Sequence, residues 1–257
     1  MTANLKRRSA AADEEHTMGT SSSPRGPAAR APVAAHEDRV AAASGIAAFA
    51  AILVALFLLP ADAGGESAAD IAARYSDGSE AYLRAAFAEG LAVAFLIVFV
   101  GGLRNGIARA EGQARTLSSA VAIGGTVAAA LQLLGFALIA TLAYRTAGDA
   151  DADVVIALYD LSSIASGFGF FALAVFSFAA GTAMIRTGAI SKVLGLASLA
   201  LGALNLAAAG SLSQDGIFSA HEGLGFLAFT LLYIWVLVAS IVMLVRPATR
   251  AVARRGE

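Results

Sequence analysis

The amino-acid sequence predicts an all-α, polytopic membrane protein, a bundle of six transmembrane helices with both termini on the cytoplasmic side. Of its 257 residues, 58% are hydrophobic and only 14% are charged, whereas soluble domains carry about 25% charged residues. The hydrophobic residues lie in blocks of about 20, the length that a helix needs to cross roughly 30 Å of hydrocarbon. These blocks lack the alternating pattern of a membrane β-barrel. A helical bundle is therefore expected.

Six spans follow one another along the chain, and polar or helix-breaking residues mark their boundaries. Pro60 closes the first span, Ser79 and Glu80 precede the second, and an acidic cluster ending at Asp153 precedes the fourth. Such side chains favour helix N-termini, where they meet free amides and the positive end of the helix dipole. The predicted spans cover residues 40–60, 81–103, 117–144, 160–185, 190–211 and 224–245.

Three segments lie outside the spans. Residues 1–38 are polar and rich in Ser and Pro, which predicts a disordered cytoplasmic tail. Residues 39–247 form the predicted transmembrane domain, and residues 248–257 form a basic cytoplasmic tail. Between the first two spans, Ser67 and Asp70 have capping-box spacing ahead of a short amphipathic run. This spacing predicts a short helix on the outer surface.

The orientation follows from the positions of lysine and arginine, which are enriched in cytoplasmic loops. Fifteen of the eighteen basic residues fall on one side of a six-span bundle, which leaves Arg74, Arg84 and Arg145 on the other. The protein is therefore expected in a bacterial cytoplasmic (inner) membrane with both termini inside. The fifteen residues are Lys6, Arg7, Arg8, Arg25, Arg30, Arg39, Arg104, Arg109, Arg115, Arg186, Lys192, Arg246, Arg250, Arg254 and Arg255.

The residue types also exclude several kinds of chemistry. The chain has no cysteine and only three histidines, of which at most one is embedded in the membrane. Disulfides, iron–sulfur clusters, thiolate zinc sites and bis-histidine haem are therefore excluded. No catalytic residue, metal site or cofactor is predicted. The lipid bilayer is the expected partner, and nucleic acid is not, because the basic residues are explained by topology.

Small residues form a stripe along the fifth span, which predicts close helix packing. Membrane helices associate through small residues that let their backbones approach, and through interhelical polar contacts. Tyr233 and Trp235 of the sixth span are interpreted as core or lipid-facing bulk. The stripe residues recur at spacings of three and four, and they are Gly188, Ser191, Gly195, Ser198 and Gly202.

A second set of polar residues falls in the outer half of the predicted bundle. Ionisable residues within spans are usually paired or functional, so this polar cluster is a candidate vestibule or ligand site. The alternative is a structural one, in which the polar contacts hold the helices in register. The cluster consists of Arg84, Glu89, Gln132, Asp160, Asn205, His221 and Glu222.

One pair of residues resembles a catalytic arrangement. Rhomboid intramembrane proteases similarly have six spans, a serine near the outer end of the fourth and a histidine in the sixth, positions matched here by Ser166 and His221. The sequence departs from that pattern at Ile164, where those proteases have glycine, and its second span offers no His and Asn for an oxyanion. A serine hydrolase is therefore only a remote alternative.

Several short motifs resemble those of uncharacterised bacterial six-helix membrane proteins that carry a domain of unknown function. The resemblance covers residues 40–246 and implies that Arg84 and Asp160 are recurring elements of the bundle. The motifs are Tyr82-Leu83-Arg84, Glu89-Gly90-Leu91, the run 99–104, the run 157–161 and the run 185–188.

Taken together, these features favour a non-enzymatic accessory or regulatory membrane protein. Its small-residue faces would pack internally, against a second copy or against another membrane protein. The alternative is a small secondary permease that uses the polar cluster. A permease predicts a water-accessible cavity that reaches Glu89, whereas an accessory protein predicts a closed core.

Overall fold

A computed structural model describes residues 27–60, 67–146, 151–210 and 223–245 of the chain. Within these ranges 91% of the residues are helical and there is no strand. The helices are α1 (Pro27–Leu58), α2 (Ala68–Asp77), α3 (Ser79–Glu111), α4 (Thr116–Thr141) with a π-helical turn at Leu142–Thr146, α5 (Ala152–Thr187), α6 (Lys192–Ala208) and α7 (Leu224–Val245).

Five helices in the described ranges are long and apolar enough to cross a membrane, which confirms the all-helical, membrane-helix character of the fold. They include residues of the first, second, third, fourth and sixth predicted spans. The fifth predicted span, 190–211, corresponds to α6, which has 17 residues and is apolar but shorter than the other five. The five segments are His36–Leu58, Ser79–Glu111, Thr116–Tyr144, Ala152–Thr187 and Leu224–Val245.

The first helix begins earlier than its predicted span. α1 starts at Pro27, inside the segment predicted to be a tail. Proline suits the first position of a helix, and the alanines that follow have the highest helix propensity. The chain divides between Ala34 and Ala35 into two compact units, and the packing described below belongs to the unit that begins at Ala35. Residues 1–26 and 246–257, which include most of both predicted tails, lie outside the described residues.

The short helix α2 forms where the capping-box spacing predicts it. The Ser67 hydroxyl accepts a hydrogen bond from the Asp70 amide at 3.2 Å and caps the helix. The apolar face of α2 buries Ile71 and Tyr75 in a small cluster with Tyr82 at the start of α3 and Val155 at the start of α5. The helix is thus attached to the end of the bundle where α3 and α5 begin.

The turn between α3 and α4 reverses the chain within residues 112–115. Gly112 and Arg115 both adopt positive φ, at 73° and 48°. The Glu111 carboxylate then accepts hydrogen bonds from the amides of Leu117 (2.8 Å) and Ser118 (2.9 Å) in the first turn of α4. This side chain satisfies amides that the helix itself leaves free.

Backbones approach closely where the helices of the bundle pack. The most extensive helix contact joins α4 to α5, followed by α5 with α6 and α3 with α4. A Cβ added to Gly124 would lie 2.8 Å from the backbone nitrogen of Phe176, and one added to Gly181 would lie 2.7 Å from the carbonyl oxygen of Gly195. α1 is seated against α3 and α7, because a Cβ on Gly45 would overlap Ser240 and lie 2.8 Å from the Phe99 ring.

Candidate functional site

Arg84 lies in the second turn of α3 and points outward, with 64% of its side chain exposed. Its guanidinium donates to the Glu80 carboxylate at 3.0 Å, one turn earlier on the same helix. This exposed pair lines a polar cleft at the α2–α3 junction. Arg84 therefore pairs with Glu80 rather than with Glu89 or Asp160.

Glu89 lies partly buried on the inner face of α3. The same face carries Ala92, Leu96 and Phe99 at helical spacing, each no more than 3% exposed. The Phe99 ring meets Trp235 of α7 edge-on, with centroids 6.3 Å apart, and also lies beside Gly45 of α1. This face of α3 therefore packs into the seam where α1, α3 and α7 meet.

Gln132 and Asn205 are both buried, but they lie on different helices. Gln132 of α4 is 6% exposed, and its side-chain oxygen has no hydrogen-bond partner among the described residues. Asn205 of α6 is fully buried and donates a long hydrogen bond, 3.5 Å, to the Ser177 hydroxyl of α5. The oxygen of Asn205 also lacks a partner in the described part of the chain. Asn205 therefore belongs to the α5–α6 interface.

The remaining members of the polar cluster do not complete a common site within the described ranges. Asp160 is partly buried near the start of α5. His221 and Glu222 lie outside the described residues. Among the members that the structure describes, no hydrogen bond or ion pair joins one to another. The described members thus lie on four helices, with Arg84 and Glu89 on α3 and one member each on α4, α5 and α6.

The small-residue stripe occupies two kinds of position. Gly195, Ser198 and Gly202 are buried where α6 packs on α5, and the Ser198 hydroxyl donates to the Ser177 carbonyl at 2.8 Å. Gly188 and Ser191 lie in the turn that precedes α6. Gly188 ends α5 with φ of 64°, and Ser191 caps α6.

Tyr233 and Trp235, which the sequence left as either core or lipid-facing residues, both lie in the core. The indole nitrogen of Trp235 donates to the Leu194 carbonyl of α6 at 3.4 Å, and its ring also meets Phe176 of α5 edge-on. Tyr233 is 1% exposed, and its hydroxyl has no hydrogen-bond partner among the described residues. The sequence signal that could have revealed it is a phenol placed mid-span in an otherwise apolar helix.

The serine of the hydrolase alternative is engaged within its own helix. The Ser166 hydroxyl donates to the Ser162 carbonyl at 2.9 Å and lies against Gly135 of α4. Its proposed partner, His221, is outside the described residues. The described residues hold no group of three or more His, Cys, Asp or Glu side chains that could bind a metal ion.

These features define a class of protein: an all-helical chain whose long apolar helices are consistent with an integral membrane protein. Comparison with protein-family models, with curated proteins and with solved structures finds no match. The proposals that follow therefore rest on the residues of this chain.

Proposed function

We propose that the chain is a non-enzymatic integral membrane protein, an accessory or regulatory component of a bacterial cytoplasmic membrane. In this proposal α6 is the fifth of six spans, and both termini are cytoplasmic.

The observation that carries the proposal is the apolar packing around one small gap in the described part of the bundle interior. A gap between α3, α4, α5 and α7 has a cavity volume of only about 10 Å³. A buried water needs roughly that much space and also two to four polar partners. The gap offers a water no polar side chain to bind, and it is too small to be a path for a solute. Its lining consists of Leu96, Val100, Gly125, Leu173, Phe176 and Leu232.

The distribution of charge supports six crossings and the proposed orientation. Arg104 and Arg109 lie near the end of α3, Arg186 lies near the end of α5, and Lys192 begins α6. In an alternating bundle these helix ends lie on one side, which we call the basic end. There Arg109 forms an ion pair with Asp38 of α1. The enrichment of basic residues at one end is the ordinary sign of the cytoplasmic side.

One face of α3 supports an accessory role, because it carries small residues that no other helix covers in the part of the chain that the structure describes. A Cβ added at Gly90 or at Gly101 would meet nothing within 4 Å. Glycine allows close approach of a second helix within a membrane. A second copy of this chain or another membrane protein would find room there.

The experiment uses the absence of native cysteine. A Glu89→Cys variant, expressed in cells, is treated with a charged, membrane-impermeant maleimide. The closed interior predicts no labelling at position 89 from either side of the membrane. Ser76→Cys, at an exposed position of α2, is the matched control and should react. Reaction at position 89 comparable to that at position 76 would contradict the proposal and support a permease.

The permease is the second candidate, and one observation favours it. Glu89 is an acidic residue inside a helix that is long enough to span the membrane, and the described residues give it no ion-pair partner. Ionisable groups at such positions commonly mark ion or substrate paths. The labelling experiment separates the two candidates.

A further inference from the structure

Arg186 and Lys192 carry positive charges that have no partner among the described residues. Arg186 lies in the last turn of α5, and Lys192 is the first residue of α6. Both are exposed, and no hydrogen bond or ion pair joins either of them to another residue in the described ranges. The sequence has no acidic residue between Asp160 and Asp215. The two charges therefore have no carboxylate along this part of the chain.

The carboxylates that other helices bring to the basic end are occupied or lie on α1. Asp38 of α1 pairs with Arg109, and the Glu111 carboxylate of α3 accepts hydrogen bonds from amides of α4. Glu37 is carried by α1, which is seated against α3 and α7. α4 and α7 have no acidic residue. The positive charge at the α5–α6 turn is therefore available to an external anion.

Contacts between α5 and α6 bring the two cations to one corner of the bundle. A Cβ added to Gly195 of α6 would lie 2.8 Å from the Cγ1 atom of Ile185 of α5. Ile185 directly precedes Arg186, and Lys192 lies three residues before Gly195. Only the turn 188–191 separates the two helices. Both charged side chains therefore belong to the same end of the α5–α6 interface.

An apolar, outward-facing stripe runs along α6 from Lys192. Spacings of four and three lead from Lys192 to Leu196 and Leu199, and spacings of four and three lead on to Leu206. Leu196 is 62% exposed and Leu206 is 51% exposed. Leu199 lies at the border with α5, because a Cβ on Gly181 would lie 2.9 Å from it. The stripe therefore follows the edge of the α5–α6 interface.

α5 has a matching apolar face below Arg186. Val175 lies eleven residues before Arg186, which is three helical turns, so the two residues share a face. Val175 is 51% exposed, and Phe171, one turn further, is 45% exposed. The Phe178 ring lies 2.9 Å from where a Cβ on Gly202 of α6 would stand. An apolar surface that spans both helices thus ends at the pair of cations.

An anionic phospholipid matches both the charge and the apolar surface. Its phosphate accepts charge-assisted hydrogen bonds from arginine and lysine, and basic residues near the headgroup region attract anionic lipids. Its acyl chains would cover the exposed leucine and valine side chains below. A soluble anion would match the charge alone, and an apolar helix of another chain would leave the two cations without a partner.

We propose that Arg186 and Lys192 bind the phosphate of an anionic phospholipid, whose acyl chain lies along the α5–α6 interface against Val175, Leu196 and Leu206. The site needs only that these helices lie in a bilayer. It depends neither on the accessory role nor on the side of the membrane that the basic end faces.

The test counts the lipids that the full-length chain retains in native mass spectrometry from detergent micelles. The wild-type protein should bind one dioleoyl phosphatidylglycerol about 25-fold more tightly than dioleoyl phosphatidylcholine, the factor expected from about 1 kcal/mol for each of two basic residues. Arg186→Gln and Lys192→Gln should each lower this preference to about fivefold. The double variant should have no preference.

Two controls make the test specific to this corner and to a lipid. Arg109→Gln removes a cation from the same end of the bundle, but one that already pairs with Asp38, so it should keep the wild-type preference. Glycerol 3-phosphate, which has the phosphate without acyl chains, should not displace phosphatidylglycerol. Circular dichroism checks that each variant remains helical.

Four results would overturn the lipid site. They are equal binding of the two lipids by the wild-type protein, an unchanged preference in the double variant, displacement of the lipid by glycerol 3-phosphate, and a dimer of the chain that excludes the lipid. The first three bear neither on maleimide access at position 89 nor on the closed interior. Failure of the lipid site and failure of the accessory role are therefore distinguishable.

Discussion

The Glu111 side chain shows how one residue can fix the relation between two helices. It is the last residue of α3, yet its carboxylate caps the first turn of α4 through two amides. A cap made by the preceding helix satisfies free amides and also limits the angle at which α4 can leave the turn. The exposed Arg84–Glu80 pair, by contrast, links two positions of one helix and constrains nothing else.

We predict that Glu111→Ala lowers the free energy of unfolding by about 1 kcal/mol, the usual cost of losing an N-terminal cap. Denaturation by sodium dodecyl sulfate in mixed micelles measures the change. Glu80→Ala is the matched control, and it should alter stability by less than about 0.5 kcal/mol because exposed ion pairs contribute little. If the two variants lost equal amounts of unfolding free energy, the result would contradict a stabilising role of the Glu111 cap.

At the residue scale, sequence patterns predict which polar residues lie in the bundle, but they do not predict the hydrogen-bond or ion-pair partners of those residues. Glu89, Gln132 and Asn205 are partly or fully buried, since their positions on apolar helices determine this. The pairing of Arg84 with Glu80 and the hydrogen bond from Asn205 to Ser177 depend on helix rotation and side-chain direction. Helical periodicity alone does not specify either quantity across two helices, so Ser177 was not predicted as the partner of Asn205.

At the scale of helices, contact between glycines sets the distance between α5 and α6. Gly181 and Gly195 face each other so closely that a Cβ on either would meet the carbonyl of the other. The Ser198 hydroxyl adds an interhelical hydrogen bond beside them. Such close approach gives the van der Waals contact and polar bonding that hold helices together in lipid.

We predict opposite effects for two glycine-to-alanine substitutions. Gly181→Ala should lower the free energy of unfolding by about 1–3 kcal/mol, because the new methyl group must displace backbone. Gly101→Ala, on the uncovered face of α3, should raise it by up to about 1 kcal/mol through helix propensity alone.

The same denaturation assay compares the two variants. A loss of stability in Gly101→Ala as large as that in Gly181→Ala would indicate that the face of α3 is covered in the membrane. Stability of Gly181→Ala equal to that of the wild-type protein would contradict the close α5–α6 contact.

Composition predicts that the long helices exist, but it does not predict the residues at which each helix begins and ends. Blocks of apolar residues identify the long helices because lipid and the hydrogen-bonding needs of the backbone leave few other structures. α3 and α5 extend beyond their predicted spans at both ends, since polar residues such as those of the run 104–111 continue a helix once it leaves the membrane. α6 is shorter than its predicted span, and the residues after Gly210 lie outside the described ranges.

At the scale of the whole molecule, the central claim is that the chain crosses the membrane six times with its basic end inside. α6 decides the count, because its 17 residues reach only about 25 Å at 1.5 Å per residue. A helix of this length can still span where the bilayer thins or flanking residues extend to the interface. If α6 does not cross, α7 runs in the opposite direction and the C-terminus is outside.

Labelling of single cysteines at the two ends of α6 tests this claim most directly. Lys192→Cys and Gly210→Cys are both exposed positions in a chain without native cysteine. With a membrane-impermeant maleimide, the six-span arrangement predicts that intact cells label position 210 and that only opened cells label position 192. Labelling of both positions from the same side would contradict it.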